Sequence, residues 1–105
     1  MEVFVKQPNE VLDYDVEMAD WFSSIPFDDI ETVTITVTSV AEEQPTLVVG
    51  PGVHPEYVIM GADPKRFKVW IGGGTNFMDY IVTCVVLTEQ DRTKEVEFKI
   101  KVRNK

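Results

Sequence analysis

Three extended runs follow one another between residues 65 and 103, and they leave little choice of fold class. In the first, Phe67, Val69 and Ile71 alternate with Lys68 and Trp70. Side chains on a strand point to opposite faces in turn, so this pattern predicts a strand with one buried face and one wet face. Gly72, Gly73 and Gly74 then break the chain, and Tyr80–Leu87 follows with both phases apolar. Tyr80, Val82, Cys84 and Val86 form one side, and Ile81, Val85 and Leu87 the other. Such a strand lies centrally or has its outer face covered. After a charged turn over residues 89–94, Val96, Phe98, Ile100 and Val102 alternate with Glu95, Glu97, Lys99, Lys101 and Arg103.

The first half reads the same way. Leu12, Tyr14, Val16 and Met18 alternate with Asp13, Asp15 and Glu17. Val33, Ile35 and Val37 alternate with threonines from Thr32 to Thr38, and β-branched residues favour strands. Thr46–Val49 and Glu56–Met60 predict two short strands, the first stopped by Gly50-Pro51-Gly52 and the second followed by a turn over Gly61–Pro64. No stretch of eleven or more residues keeps a clean helical period. The expectation is an all-β, immunoglobulin-like antiparallel β-sandwich of about seven strands, with residues 1–9 as an extended N-terminal arm and 10–105 as one domain. The arm segment Val3–Pro8 could pair with another subunit's sheet edge.

A tyrosine at the start of the penultimate strand commonly bonds its hydroxyl back to the preceding loop in such sandwiches, and Tyr80 is placed for that role. The triple glycine permits positive φ at the corner. It is not a phosphate cradle, because no Lys-Ser/Thr and no helix pattern follow it. Tyr80, Gly72, Gly73 and Gly74 are therefore read as structural. Cys84 lies four residues after the tyrosine and has no second cysteine to pair with, which argues against an antibody-type domain.

Little in the chain suggests reaction chemistry. His54 is the only histidine and Cys84 the only cysteine, so no zinc site is expected. Cys84 reads as a small buried apolar residue and not as a nucleophile. Asp13, Asp15 and Glu17, with Asp28-Asp29 as possible neighbours in space, are the candidate cation ligands, but positions i, i+2 and i+4 on a strand spread over roughly 13 Å and do not converge unaided. No metal, no cofactor and no catalytic residue is expected. The net charge of −8 disfavours nucleic acid, and no apolar run approaches the length of a membrane span. The opening Met1-Glu2-Val3-Phe4 lacks the basic start and apolar run of a signal peptide, so a cytoplasmic origin is expected.

Charge is unevenly distributed: eleven acids and one base in residues 1–43, against seven acids and nine bases in residues 44–105. An acidic face meeting a basic neighbour would steer and orient assembly. Trp70 is out of phase with the inward set of its strand, so its indole is expected outside. Aromatics concentrate at the buried centres of contacts, which makes Trp21, Phe22 and Trp70 candidate anchors beside the acidic patch of Asp13, Asp15 and Glu17. Phe27 belongs to the same aromatic group, and Phe77-Met78 forms a second apolar tip.

Several short motifs also resemble a known family. They are Lys6-Gln7-Pro8-Asn9-Glu10-Val11-Leu12-Asp13-Tyr14, Asp20-Trp21, Val69-Trp70-Ile71-Gly72-Gly73-Gly74-Thr75 and Asp79-Tyr80-Ile81-Val82-Thr83-Cys84. They resemble a family of small Ig-like structural proteins of tailed bacteriophages and prophages, associated with the head, neck or tail. The chain departs from that pattern in residues 39–64, where its loops are longer. The resemblance implies a virion structural or assembly protein of the head–tail region that works through protein–protein contacts. Its partners would be other virion subunits, with a homo-oligomer left open and with no nucleic acid or membrane. It would reside in the bacterial cytoplasm during assembly and then in the virion. The rival readings are a carbohydrate- or cell-surface-binding module, which would set Trp21 and Trp70 side by side, and a small enzyme or inhibitor, which would need a cleft of converging polar groups.

Overall fold

The computed structural model describes residues 1–61 and 64–104. Ala62 and Asp63, in the turn expected over Gly61–Pro64, lie outside the described residues, as does Lys105 at the end of the expected domain. Among the described residues there are eight strands and one helical turn. They are β1 (Glu2–Lys6), β2 (Leu12–Glu17), α1 (Ala19–Phe22), β3 (Ile30–Thr38), β4 (Leu47–Val49), β5 (Tyr57–Ile59), β6 (Arg66–Gly73), β7 (Asp79–Thr88) and β8 (Thr93–Val102).

Two sheets face each other. One runs β1-β8-β7-β3; the other runs β2-β6-β4, with β5 also on β6 beside β4. On β6, β7 and β8 the inward residues match the alternation read from the sequence, whereas Leu12, at the start of β2, is exposed. Phe67, Val69 and Ile71 of β6 are sealed from solvent, as are Tyr80, Val82, Cys84 and Val86 of β7 and Ile100 and Val102 of β8. Burial alone pushes the Cys84 thiol up to about 12, so it packs as an apolar group.

The eight described strands fit the expected number of about seven. The pairing is corrected: it is mixed and not wholly antiparallel, because β1 runs parallel to β8 with Glu2 opposite Phe98 and Lys6 opposite Val102. The opening segment is extended as expected, but its backbone bonds the sheet of its own chain. Lys6 explains why it stays there. Its ammonium is buried and donates to the carbonyls of Gln7 at 2.7 Å and Gly73 at 2.6 Å, which ties β1 to the glycine corner. Burial lowers the Lys6 pKa, opposed in part by nearby Glu10.

Tyr80 closes the corner. Its hydroxyl accepts the Thr75 backbone N–H at 2.9 Å and donates to Glu42 Oε1 at 2.8 Å. Only part of the triple glycine uses positive φ: Gly73 sits at 67° and Gly74 at 95°. A Cβ at Gly73 would lie 2.7 Å from the Thr46 carbonyl oxygen. At the opposite end, the buried Asp28 carboxylate ties the segment before β3 to the β7–β8 turn. It accepts from the Gln90 backbone N–H at 3.0 Å and from Arg92 Nη1 at 2.9 Å.

Candidate functional site

The outer face of the β2–β6 sheet carries most of the surface residues singled out in the sequence. Trp70 projects outward between the inward Val69 and Ile71. Its main chain is gripped twice by the loop between β4 and β5: Trp70 N–H donates to the Glu56 carbonyl at 3.2 Å, and Gly50 N–H donates to the Trp70 carbonyl at 2.9 Å. Gly50 at φ 70° and Gly52 at φ 61° let that loop fold back over the sheet. His54 then lies flat on the indole, with ring centroids 3.8 Å apart and planes 10° apart.

Gly72 makes this fold-over possible by lacking a side chain. A Cβ there would stand 2.9 Å from Pro51 Cβ and Cγ and 3.3 Å from Val11 Cγ2. The result is a half-buried aromatic pair bordered by Pro51, with Val48 and Val58 exposed on the neighbouring strands and Val11 exposed just before β2. Isolated exposed valines are ordinary on a protein surface; a stacked ring pair amid several of them is a preformed apolar platform.

The acidic residues border this platform, but they are partly neutralised. Asp15 faces Lys68 and Glu17 faces Arg66 across the β2–β6 ladder. Lys68 Nζ lies 2.9 Å from Asp13 and 3.6 Å from Asp15, and Arg66 lies 3.7 Å from Glu17. The hydrogen bond from Lys68 holds the Asp13 carboxyl below its ordinary range, and the same bond raises the Lys68 pKa. Exposed pairs of this kind contribute little to stability. They fix the charges in place as a polar rim. No cluster of three or more metal-binding side chains occurs among the described residues.

The other two aromatic candidates lie elsewhere. Phe22 is wholly buried, so it is a core residue and cannot act as a surface anchor. The helical turn places Met18 and Phe22 on one side, and the Phe22 N–H donates to the Met18 carbonyl at 3.0 Å. Trp21 packs edge-on against Phe22, with ring centroids 4.8 Å apart, and covers the core in part. Among the described residues no ring contact joins Trp21 to Trp70. The paired-indole platform of a sugar-binding module is therefore not formed.

A second apolar surface lies on the outer face of the other sheet. Val40, Ala41, Phe77, Met78 and Ile81 line a groove of about 490 Å³, with Lys99 and Asp79 at its rim. Phe77-Met78 was legible as an apolar tip, but the contribution of Val40 was not. Val40 follows a uniform run of β3 residues, and nothing local signals that it faces a turn 37 positions further on.

What this arrangement offers is contact surface. The family comparison agrees: residues 6–101 match the model described as podophage GP4 fiber-tail adaptor protein gp77. The chain belongs to this family. It is a tail-associated structural protein of the phage virion that acts through protein contacts. No curated protein matches the chain.

Proposed function

We propose that this adaptor holds a neighbouring tail or fibre subunit through the Trp70–His54 platform, with Asp13, Asp15, Glu17, Lys68 and Arg66 as the polar rim. The observation that carries the reading is the stack itself. A tryptophan fixed on its open face by a histidine, and gripped through its backbone by a loop, loses little freedom on binding. Preorganised aromatic anchors amid a charged rim are how protein contacts concentrate their affinity. The mixed-sign rim sets orientation and rate more than strength.

The immunoglobulin-like reading of the fold is supported by the strand order. The second, sixth and fourth strands share one sheet, and the third, seventh and eighth share the other, as in sandwiches of that class. A non-enzymatic role is supported by how the candidate reactive groups are used: His54 serves as a stacking ring, and the Cys84 thiol is sealed in the core. The protein folds in the bacterial cytoplasm and is then incorporated into the particle.

The test is binding of the purified chain to isolated tail and fibre components. Trp70→Ala should weaken one of these contacts by about 30-fold, the loss expected of an interface hot spot of about 2 kcal/mol. Its far-UV circular dichroism should match that of the parent chain. Full binding by a folded Trp70→Ala variant would reject the platform as the contact.

A further inference from the structure

We propose that β3 is a self-pairing edge, through which two copies of this chain join antiparallel about a two-fold axis near Ile35. Within its sheet β3 bonds β7 on one side only; among the described residues the other side of its backbone has no partner strand, and only the Ile30 N–H, at its start, donates to the Pro64 carbonyl at 3.0 Å. Natural edges are usually protected by Lys, Pro, bulges or covering loops. Here a bulge lies between Ile30 and Thr32, but residues 32–38 run in regular register with β7. They contain no charge, proline or glycine. On the inner side Ile35 and Val37 are packed against the core yet only partly buried, so one more strand would complete their cover. The sheet's opposite edge, β1, is five residues long and carries Glu2 and the tethered Lys6.

A second copy is the occupant because the segment matches itself. With Ile35 opposite Ile35, Thr34 faces Thr36 on the outer side and Val33 faces Val37 on the inner side. Cross-strand threonine and β-branched pairs are favourable, and like charges opposite one another are not. Glu31, the only charge in β3, meets Ser39 in this register and not another Glu31.

The symmetry also brings unlike ends together, since in a two-fold contact residue i meets j and j meets i. The start of β3 on one copy approaches the end of β3 on the other. The start carries Phe27, which is 91% exposed, and the end carries the Val40–Phe77 groove. Phe77 is 75% exposed and has φ 71°, a backbone conformation rare for a bulky residue. That conformation is held by its N–H donating to the Val102 carbonyl at 2.8 Å. Phe27 itself sits beside Gln90 and Arg92 of the β7–β8 turn, and the proposed dimer would bring this exposed end of each copy toward the groove end of the other. The Trp70 platform stays free, because it lies on the outer face of the other sheet.

The test is the solution mass of the full chain by light scattering, on the order of 100 µM. The expected mass is twice the 12.0 kDa of one chain. Thr34→Lys with Thr36→Lys sets lysines opposite each other across the axis while leaving the core untouched. That variant should run at the single-chain mass with unchanged circular dichroism, and Phe27→Ser should weaken the dimer by about tenfold. A parent chain at single mass under these conditions would overturn the proposal, as would a dimer that survives the lysine pair. Loss of a tail or fibre contact by the lysine variant, with the parent chain monomeric, would assign the edge to a different protein and reject self-pairing.

Discussion

The imidazole of His54 rests on the indole of Trp70, parallel to within 10° and with ring centroids 3.8 Å apart. This pair joins a Gly/Pro loop to the central strand of its sheet. It converts an exposed side chain into a fixed surface. Removing the imidazole should leave the fold intact and free the indole. His54→Ala is expected to shift tryptophan emission to the red and raise its quenching by acrylamide. Binding to the tail or fibre subunit should fall less than for Trp70→Ala, because the larger ring remains.

Gly72→Ala tests the same loop from below. Its new methyl group would fall 2.9 Å from the Pro51 ring, closer than Cβ contacts tolerate. The loop must lift, and the His54 ring must move with it. The expected result is the His54→Ala fluorescence signature with a binding loss of similar size, while the core melts at nearly its original temperature. Gly73→Ala should behave differently: it pairs positive φ with a Cβ 2.7 Å from a backbone oxygen, so it should lower thermal stability outright.

Tyr80→Phe deletes a buried hydroxyl that serves Thr75 N–H at 2.9 Å and Glu42 at 2.8 Å. The Thr75 donor would lose its partner, at a cost of about 1–3 kcal/mol. A domain of this size loses about 4–8 °C for each kcal/mol, which a calorimetric melt resolves. The ring still fills the core, so the fold should persist.

Stability should fall in acid. At Asp28, burial pushes the carboxyl up, but hydrogen bonds from Thr88, Arg92, Gln90 and Asp29 outweigh it and leave the pKa below the ordinary 3.8. At Asp79, the bond from Arg103 lowers it from the same value. A depressed folded-state pKa contributes stability that is present above the unfolded value and is lost as pH falls through the folded one. The melting temperature should therefore hold down to about pH 4 and drop below it. Asp28→Asn should melt lower than the parent at neutral pH and show a shallower acid decline. A melting temperature flat from neutral pH to about pH 2 would contradict this reading.

Much of this architecture is legible in the chain because its strands state their phase locally. The alternation over 12–17 sets Asp13, Asp15 and Glu17 outward, and the double-apolar run from Tyr80 announces a strand between two others. Trp70 is placed outside by the same phase argument. Three features are not local. The parallel docking of β1 depends on Lys6 reaching the Gly73 carbonyl, 67 positions away. The acidic patch is tempered by Lys68 and Arg66, which only the β2–β6 register brings near. Phe22 lies on a four-residue helical turn, too short to show a period, and that turn rotates it inward.

The contact through Trp70 can be observed directly in a Trp21→Phe variant, where Trp70 is the sole indole. Its emission would be followed as purified tail and fibre components are titrated in. A blue shift and protection from acrylamide should saturate together with binding to one of these components. Full binding with unchanged emission and unchanged quenching would contradict a contact through Trp70.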